Sequence, residues 1–198
     1  MRMRRSLNLF IHKSLIVLLF FCFSCMKKDE NLNKINAIKL LAENTIGKKI
    51  FLPKKIIIYK PFGSYLKDSI NISKSELKVY AYINASCSTC LNNIKLWDKF
   101  ALEIKDYGVP VILILQSYDE FELFKYLCEK REIKKFPYPF FFDQENSFVK
   151  NNKFMIENET FRSVLTDKEN NIIMVGNPFI SEGMKKLYIK EIKRRRKL

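Results

Sequence analysis

Histidine is all but absent from this 198-residue chain: its one copy, His12, stands close to the N-terminus, inside a segment that reads as a cleaved leader. Its loss with that leader excludes histidine-based triads and histidine-ligated zinc from the mature protein. Glycine and proline are scarce, at five and six copies, which excludes collagen-like and linker-dominated chains. The low hydrophobicity that marks disorder is missing too, since 47% of residues are hydrophobic and 14% aromatic. What remains is the composition of a folded globular protein, long enough for a packed core and matched to one domain.

Acidic residues are the minority charge: 36 Lys and Arg against 21 Asp and Glu leave a formal net charge of +15. Arg2, Arg4, Arg5 and Lys13 belong to the leader, so the body carries most of the excess. Much of it is Lys scattered among acids, and the one dense run is Lys193, Arg194, Arg195, Arg196 and Lys197 at the C-terminus. Cations in a last helical turn complement the carbonyl end of the helix dipole, so this run reads as a solvated helix end. No nucleic-acid partner is expected. Contact of the tail with anionic lipid or polysaccharide is compatible with every reading below.

The apolar run after Lys13, SLIVLLFFCF, is about a dozen residues long, short of the roughly 18 needed to span a bilayer. Behind the basic stretch MRMRRSLNLFIHK it forms the core of an export signal over residues 1–25. Ser24 immediately before Cys25 resembles the lipobox of bacterial lipoproteins, in which the Cys receives diacylglycerol and becomes the new N-terminus. Cys22 and Phe23 stand where that pattern prefers Leu and a small residue; an ordinary secretory signal, with Cys25 incidental, is the alternative. Met26, Lys27, Lys28, Asp29 and Glu30 resemble the short charged signal that follows the lipid Cys in surface-exposed lipoproteins of Bacteroidetes.

Leu32, Ile35, Ile38 and Leu41 share one helical face over residues 31–43, and Gly47 can cap that helix in the left-handed conformation. Extended pieces follow at 50–52 and 56–59, broken by Pro53 and Pro61, then a polar stretch over 63–75. The middle alternates: a strand at 77–83, a helix from about 87 to 105, a strand at 109–115 and a helix from 119 to about 132. That order predicts parallel strands. The first helix buries Leu91, Ile94, Trp97, Phe100 and Ile104, and the second Phe121, Phe124, Leu127 and Cys128. A short strand at 139–142, a polar Asn-rich link over 146–158, and strands at 161–166 and 172–175 around a turn come next. A final helix carries Met184, Leu187, Tyr188 and Ile192.

The chemistry-bearing motif is Cys87-Ser88-Thr89-Cys90, where the strand at 77–83 gives way to the first helix. A sulfur at a helix start meets unpaired N–H groups and the positive end of the dipole, which favour the thiolate, the nucleophilic form of cysteine. Cys90, one turn later on the same face, can close a disulfide onto it. Half of a zinc site and a purely structural disulfide compete with redox chemistry. Zinc wants four ligands, and beyond the motif only Cys128, on an apolar helical face, offers a third thiol; no metal and no cofactor are expected.

In this context the chain resembles the thioredoxin superfamily, specifically its membrane-anchored, periplasm-facing thiol-disulfide interchange branch (TlpA-like), over about residues 50–192. The resemblance rests on LKVYAYI before CSTC, on the helix, strand and helix that follow, on FPYPFFFD, and on SVLTDKENNIIMVGNP as a terminal hairpin. The ending VGNP before a helix with LY is similar to thioredoxin-like lipoproteins common in Bacteroidetes. It implies an α/β, thioredoxin-like fold: a mixed central sheet of four or five strands flanked by helices, here with an N-terminal helical extension. It also implies Cys87 as attacking thiol and Cys90 as resolving thiol.

The chain departs from that family at three places. Phe161, after Thr160, stands where the family carries a cis-proline opposite the motif; Thr160 and Phe161 are the expected substrate-side residues, with the aromatic ring walling the site. Ala81 replaces an acid often found six residues before the first Cys, and Ser86 replaces the usual Trp. The expected divisions are a leader at 1–25, a tether and helix at 26–48 and a thioredoxin-like domain at 49–198. The expected function is an envelope thiol-disulfide oxidoreductase, lipid-anchored through Cys25 and acting on protein thiols or disulfides at the periplasm or cell surface. The alternative is a non-catalytic thioredoxin-like binding or redox-sensing lipoprotein.

Overall fold

The computed structural model describes residues 36–63, 65–66 and 72–196; the leader, Cys25 and the tether lie outside them, as does part of the polar stretch expected over 63–75. The chain divides into two compact units between Asn44 and Thr45. The described part of the first, residues 36–44, is helical, with Ile38 and Leu41 half-buried; this helix, α1, ends at Thr45. An exposed Lys39–Glu43 ion pair, 3.9 Å long, joins successive turns. Gly47 follows at φ +85°, the left-handed cap that its missing Cβ permits.

In the second unit, strands β1 (Ile57–Tyr59), β2 (Lys78–Asn84), β3 (Val111–Gln116), β4 (Phe140–Phe142), β5 (Ser163–Thr166) and β6 (Ile172–Val175) form one sheet in the order β1-β4-β3-β2-β5-β6. β3 runs parallel to both β2 and β4. β5 pairs antiparallel with β2 and forms a hairpin with β6. A central strand with a parallel βαβ unit on one side and a terminal antiparallel hairpin on the other is the thioredoxin-like arrangement. The sheet has one strand more than the resemblance implies. The addition is β1, which pairs antiparallel with β4 at the edge, Ile57 opposite Phe142. No strand forms over 50–52: Lys49 makes a single bridge to Asn171, and Pro53, lacking an N–H, cannot extend a ladder.

The helices are α2 (Ser88–Asn92), α3 (Ile94–Ile104), α4 (Glu122–Glu129), α5 (Ser147–Asn151), α6 (Phe154–Glu157) and α7 (Glu182–Arg196). Strand alternation turns Val79, Ala81 and Ile83 of β2 and Val111, Leu113 and Leu115 of β3 to one face. There they join Ile94, Trp97, Phe100 and Ile104 of α3, Phe124 and Cys128 of α4, and Tyr188 and Ile192 of α7 in one buried cluster. Leu187, expected in that stripe, is 51% exposed instead. A fifteen-residue helix presents only a narrow seam to the sheet, and here Tyr188 and Ile192 fill it.

Three expected elements are cut differently. The helix over 87–105 is divided at Asn93 into α2 and α3. The next helix starts at Glu122 rather than 119, because Glu120 and Phe121 take left-handed backbone (φ 53° and 67°). That turn lays the Phe121 ring flat on Phe142, centroids 4.0 Å apart, a contact worth about 0.5–1.5 kcal/mol beyond burial. The Asn-rich link contains α5 and α6, which bury Phe148, Val149 and Met155. Asp143 starts α5 by accepting from the Phe148 amide at 2.6 Å and the Ser147 hydroxyl at 3.1 Å. Asn152 closes it, its side-chain amide exchanging hydrogen bonds with the backbone of Phe51.

Candidate active site

β2 delivers the motif. At its end the Asn84 side chain accepts from the Ser86 amide at 3.0 Å, and Ala85 N–H reaches Gln116 at the end of β3. This turn leaves Cys87 in extended backbone (φ −116°, ψ 108°) as the N-cap of α2, in the place usually held by Ser, Thr or Asp. Its sulfur does what a capping oxygen does: it accepts from the Cys90 amide at 3.4 Å. The Thr89 hydroxyl lies 3.1 Å from it and the Cys90 thiol 2.7 Å from it.

The two cysteines are therefore unlike. The Cys90 thiol, the Thr89 hydroxyl and the Cys90 amide pull the Cys87 thiol down to about 7. Burial, the hydrogen bond that Cys90 donates and the neighbouring sulfur charge push Cys90 the other way. Sequence reasoning credits the dipole of one long helix, but α2 has only five residues. Named donors do the work. Cys128 is buried in the core, and that burial pushes its thiol up to about 12, well out of reach of neutral-pH chemistry. Among the described residues no group of three His, Cys, Asp or Glu is placed to hold a metal ion.

Ser86 ties the motif to the neighbouring loop. Its hydroxyl donates to Asp119 at 2.7 Å, accepts from the Tyr118 amide at 2.9 Å and lies 3.2 Å from the Ser117 hydroxyl, which itself donates to Asp119. Burial acts to raise the Asp119 carboxyl, but hydrogen bonds from Ser117, Ser86 and the Leu123 amide outweigh it and hold the group lowered and ionised. The same carboxylate caps α4 through Leu123. The sequence marks Ser86 only as a departure from the family's Trp, and its partners Ser117 and Asp119 carry no signal beyond the S-x-D pattern before a helix that hints at a cap.

A cavity of about 230 Å³ opens beside Cys90, lined among others by Tyr82, Asn93, Glu159, Thr160, Arg162 and Asn177. Thr160 is thus brought onto one surface with Cys90, and its carbonyl holds the Asn177 amide at 2.6 Å. Phe161 is not among the lining residues. It belongs to a 3-10 turn, Glu159–Phe161, rather than to β5, and its ring is 2% exposed. Ala81 is fully buried, leaving apolar packing where thioredoxins often hold an acid. A larger cavity of about 510 Å³, lined mainly by apolar side chains such as Leu52, Ile56, Ile112, Ile114 and Phe141, contains no cysteine.

No protein-family model matches the chain, and no curated protein matches it. It is similar to solved structures. The thioredoxin domain of a thiol-disulfide oxidoreductase from Bacteroides vulgatus shares 17% identity, with 72% of this chain and 96% of that one covered at a TM-score of 0.46. A protein from Chlorobium tepidum, provisionally assigned as the thiol:disulfide interchange protein DsbE, shares 12%, covering 74% and 97%, at 0.49. An exposed lipoprotein thioredoxin from Streptococcus pneumoniae shares 15%, covering 62% and 89%, at 0.43. Likeness of this degree transfers no residue role. The thioredoxin-like fold rests on strand order and direction, and the chemistry on the sulfur geometry. No helix among the described residues is long and apolar enough to cross a membrane.

Proposed function

We propose that the protein is a thiol-disulfide oxidoreductase of the cell envelope, with Cys87 as nucleophile and Cys90 as resolving thiol. One observation carries this reading: the Cys87 sulfur, half-exposed at a helix start, is met by three donors, while Cys90 is pushed in the opposite direction. A thiol titrating near ambient pH combines thiolate population with nucleophilicity best.

The Cys87 thiolate attacks a substrate disulfide, forming a Cys87–substrate bond and expelling one substrate thiolate, which takes a proton from water. Cys90 then gives up its proton and attacks the Cys87 sulfur. The Cys87–Cys90 disulfide forms and the second substrate thiolate leaves, so two electrons pass from the dithiol to the substrate. A protein dithiol or a low-molecular-weight thiol restores the reduced pair. Run backwards, the same steps oxidise a substrate dithiol. Thr160, on the cavity beside Cys90, shapes the substrate side, backed by the buried Phe161 that follows it in the same turn. Residues 1–25 act as leader, 26–48 as tether and helix, and 49–198 as the working domain. Lipid on Cys25 holds that domain at the membrane, facing the periplasm or the cell surface, a reading supported by the basic stretch, the short apolar run and the Ser24-Cys25 junction.

The reduced protein should accelerate reduction of a protein disulfide by dithiothreitol, and Cys87→Ser should abolish the acceleration. Cys90→Ser should stop at a mixed disulfide on Cys87. No acceleration over dithiothreitol alone would replace this reading with a thioredoxin-like binding or sensing module. Mass spectrometry of the exported protein tests the anchor: the mature chain should begin at an acylated Cys25.

A further inference from the structure

Arg162 stands between the turn Glu159–Phe161 and β5, and its carbonyl accepts from the Tyr82 amide at 2.8 Å, locking it to the strand that leads into the motif. Its half-buried side chain lines the 230 Å³ cavity together with Cys90. There Nε is wholly shielded from solvent yet has no hydrogen-bond partner. Among the described residues the guanidinium enters no ion pair. Leaving a buried donor unpaired costs about 1–3 kcal/mol, and more for a charged group. An anion entering the cavity would offset that cost.

The ionisable groups facing this cavity are Cys90 of α2, Tyr82 of β2 and Glu159 of the 3-10 turn, with Cys87 bonded to Cys90 at its margin. The Tyr82 hydroxyl donates to Gln116 at 2.9 Å, and burial pushes it up to about 12, so it stays neutral. Glu159 is exposed and, among the described residues, pairs with no cation. β2 offers only Ala81 in place of an acid. In the mixed disulfide Cys87 carries no charge, so besides the exposed Glu159 the negative charge that arises at this cavity is the thiolate that Cys90 must become.

We propose that Arg162 is the counter-charge of the resolving step, its guanidinium stabilising the Cys90 thiolate as that sulfur attacks the mixed disulfide on Cys87. This rests on the dithiol mechanism above and deepens it. The Cys90 proton leaves to water, the Cys87–Cys90 bond forms, the Cys87–substrate bond breaks, and the departing substrate thiolate is protonated by water. The electrostatic effect of Arg162 on Cys90 has the required sign: it favours the ionised form against burial. Arg162 thus favours the charged resolving sulfur at a site where Ala81 stands in place of an acid that could move its proton.

The test uses the reduced full-length protein and the uncharged disulfide 4,4′-dithiodipyridine, whose thione is released in two phases. The first phase reports attack by Cys87 and the second resolution by Cys90. Arg162→Gln should leave the first phase unchanged, slow the second about tenfold at pH 7 and move its pH midpoint up by about one unit. Arg162→Lys should restore most of the rate. Arg162→Met, which keeps the packing of the stem, should behave as Arg162→Gln and serves if the amide variant misfolds; an intact first phase certifies the fold. A second phase unchanged in both Gln and Met variants overturns the proposal. So does slowing confined to an anionic probe, 5,5′-dithiobis(2-nitrobenzoate), which would make Arg162 a substrate-carboxylate contact instead. A wild-type first phase no faster than an ordinary thiol would overturn the dithiol mechanism itself, a separate outcome.

Discussion

The amide and the thiol of Cys90 both point at the Cys87 sulfur, from 3.4 and 2.7 Å. One residue of the motif thereby creates the reactivity of the other. The consequence is measurable in the reduced protein. Alkylation of Cys87 by iodoacetamide should rise with pH through a midpoint near 7, with the thiolate lost below it. Cys90 should react more slowly, and Cys128 only after unfolding. Cys90→Ala removes the largest of these donors, so the Cys87 midpoint should move towards the ordinary value of about 8.5. Cys90→Ser, which keeps a hydroxyl donor, should move it less. Mass spectrometry of time-quenched samples reads all three sites.

Much of this was legible in the sequence, for a physical reason. Strands β2 and β3 are buried on both faces and so read as continuous apolar runs, VYAYI and VILIL. The turn between β5 and β6 declares itself because Asp167 binds both the amide and the side chain of Asn171. The strand-then-CxxC-then-helix order is that of the structure, with Cys87 at the start of a helix after β2. Short α5 and α6 were not legible: four or five residues give no helical period, and Phe148, Val149 and Met155 are too few to outweigh the asparagines. Arg162 was invisible for a different reason. An orphaned donor is a property of what surrounds it after folding, and no local pattern encodes it.

Phe161 sits where the family resemblance expects proline, yet restoring proline should harm the protein. The Phe161 amide donates to the Asn158 carbonyl at 2.9 Å, a bond proline cannot make, and the ring is almost wholly buried. Phe161→Pro should destabilise by about 3 kcal/mol or more, as loss of a buried aromatic does. Phe161→Leu should cost less, since it keeps the amide and most of the apolar volume. Urea denaturation of the oxidised forms compares the two; a Pro variant as stable as wild type would show that the turn accepts the family residue.

Lys193, Arg194, Arg195 and Arg196 of the basic run belong to α7. Glu191 binds Arg194 through two hydrogen bonds, at 2.7 and 2.9 Å, and Arg195 through one at 2.6 Å. The Arg194 hydrogen bond leads in holding the Glu191 carboxyl down at about 2, against some opposing burial and with further help from Arg195. A carboxyl depressed in the folded state stabilises above its unfolded value of about 4.3, and that contribution fades as pH falls towards the folded value. Glu191→Gln should therefore cost about 0.5 kcal/mol at pH 7. The difference from wild type should shrink between pH 4.5 and 2 and weaken with added salt.

Gly176 joins the hairpin to the site in a conformation that strains any other residue. Its carbonyl accepts from the Ser163 hydroxyl at 3.0 Å and from the buried Tyr188 hydroxyl at 2.7 Å; its amide donates to Ser163 O at 2.9 Å. Next to it, the Asn177 amide holds the Thr160 carbonyl, so both Asn177 and Thr160 reach the cavity from this junction. The backbone achieves this at φ +138°, which L side chains rarely adopt, and an added Cβ would stand 3.0 Å from Met184 Cε. Gly176→Ala should therefore destabilise by about 1–3 kcal/mol. Two causes contribute, and a second substitution separates them. Met184→Ala in the same background clears the contact but leaves the strained φ, so it should recover only part of the loss. Recovery to the stability of Met184→Ala alone would mean that the contact was the whole cost. In Gly176→Ala, displacement of Thr160 should also slow resolution by Cys90 while alkylation of Cys87, whose donors Thr89 and Cys90 lie in α2, keeps its midpoint near 7.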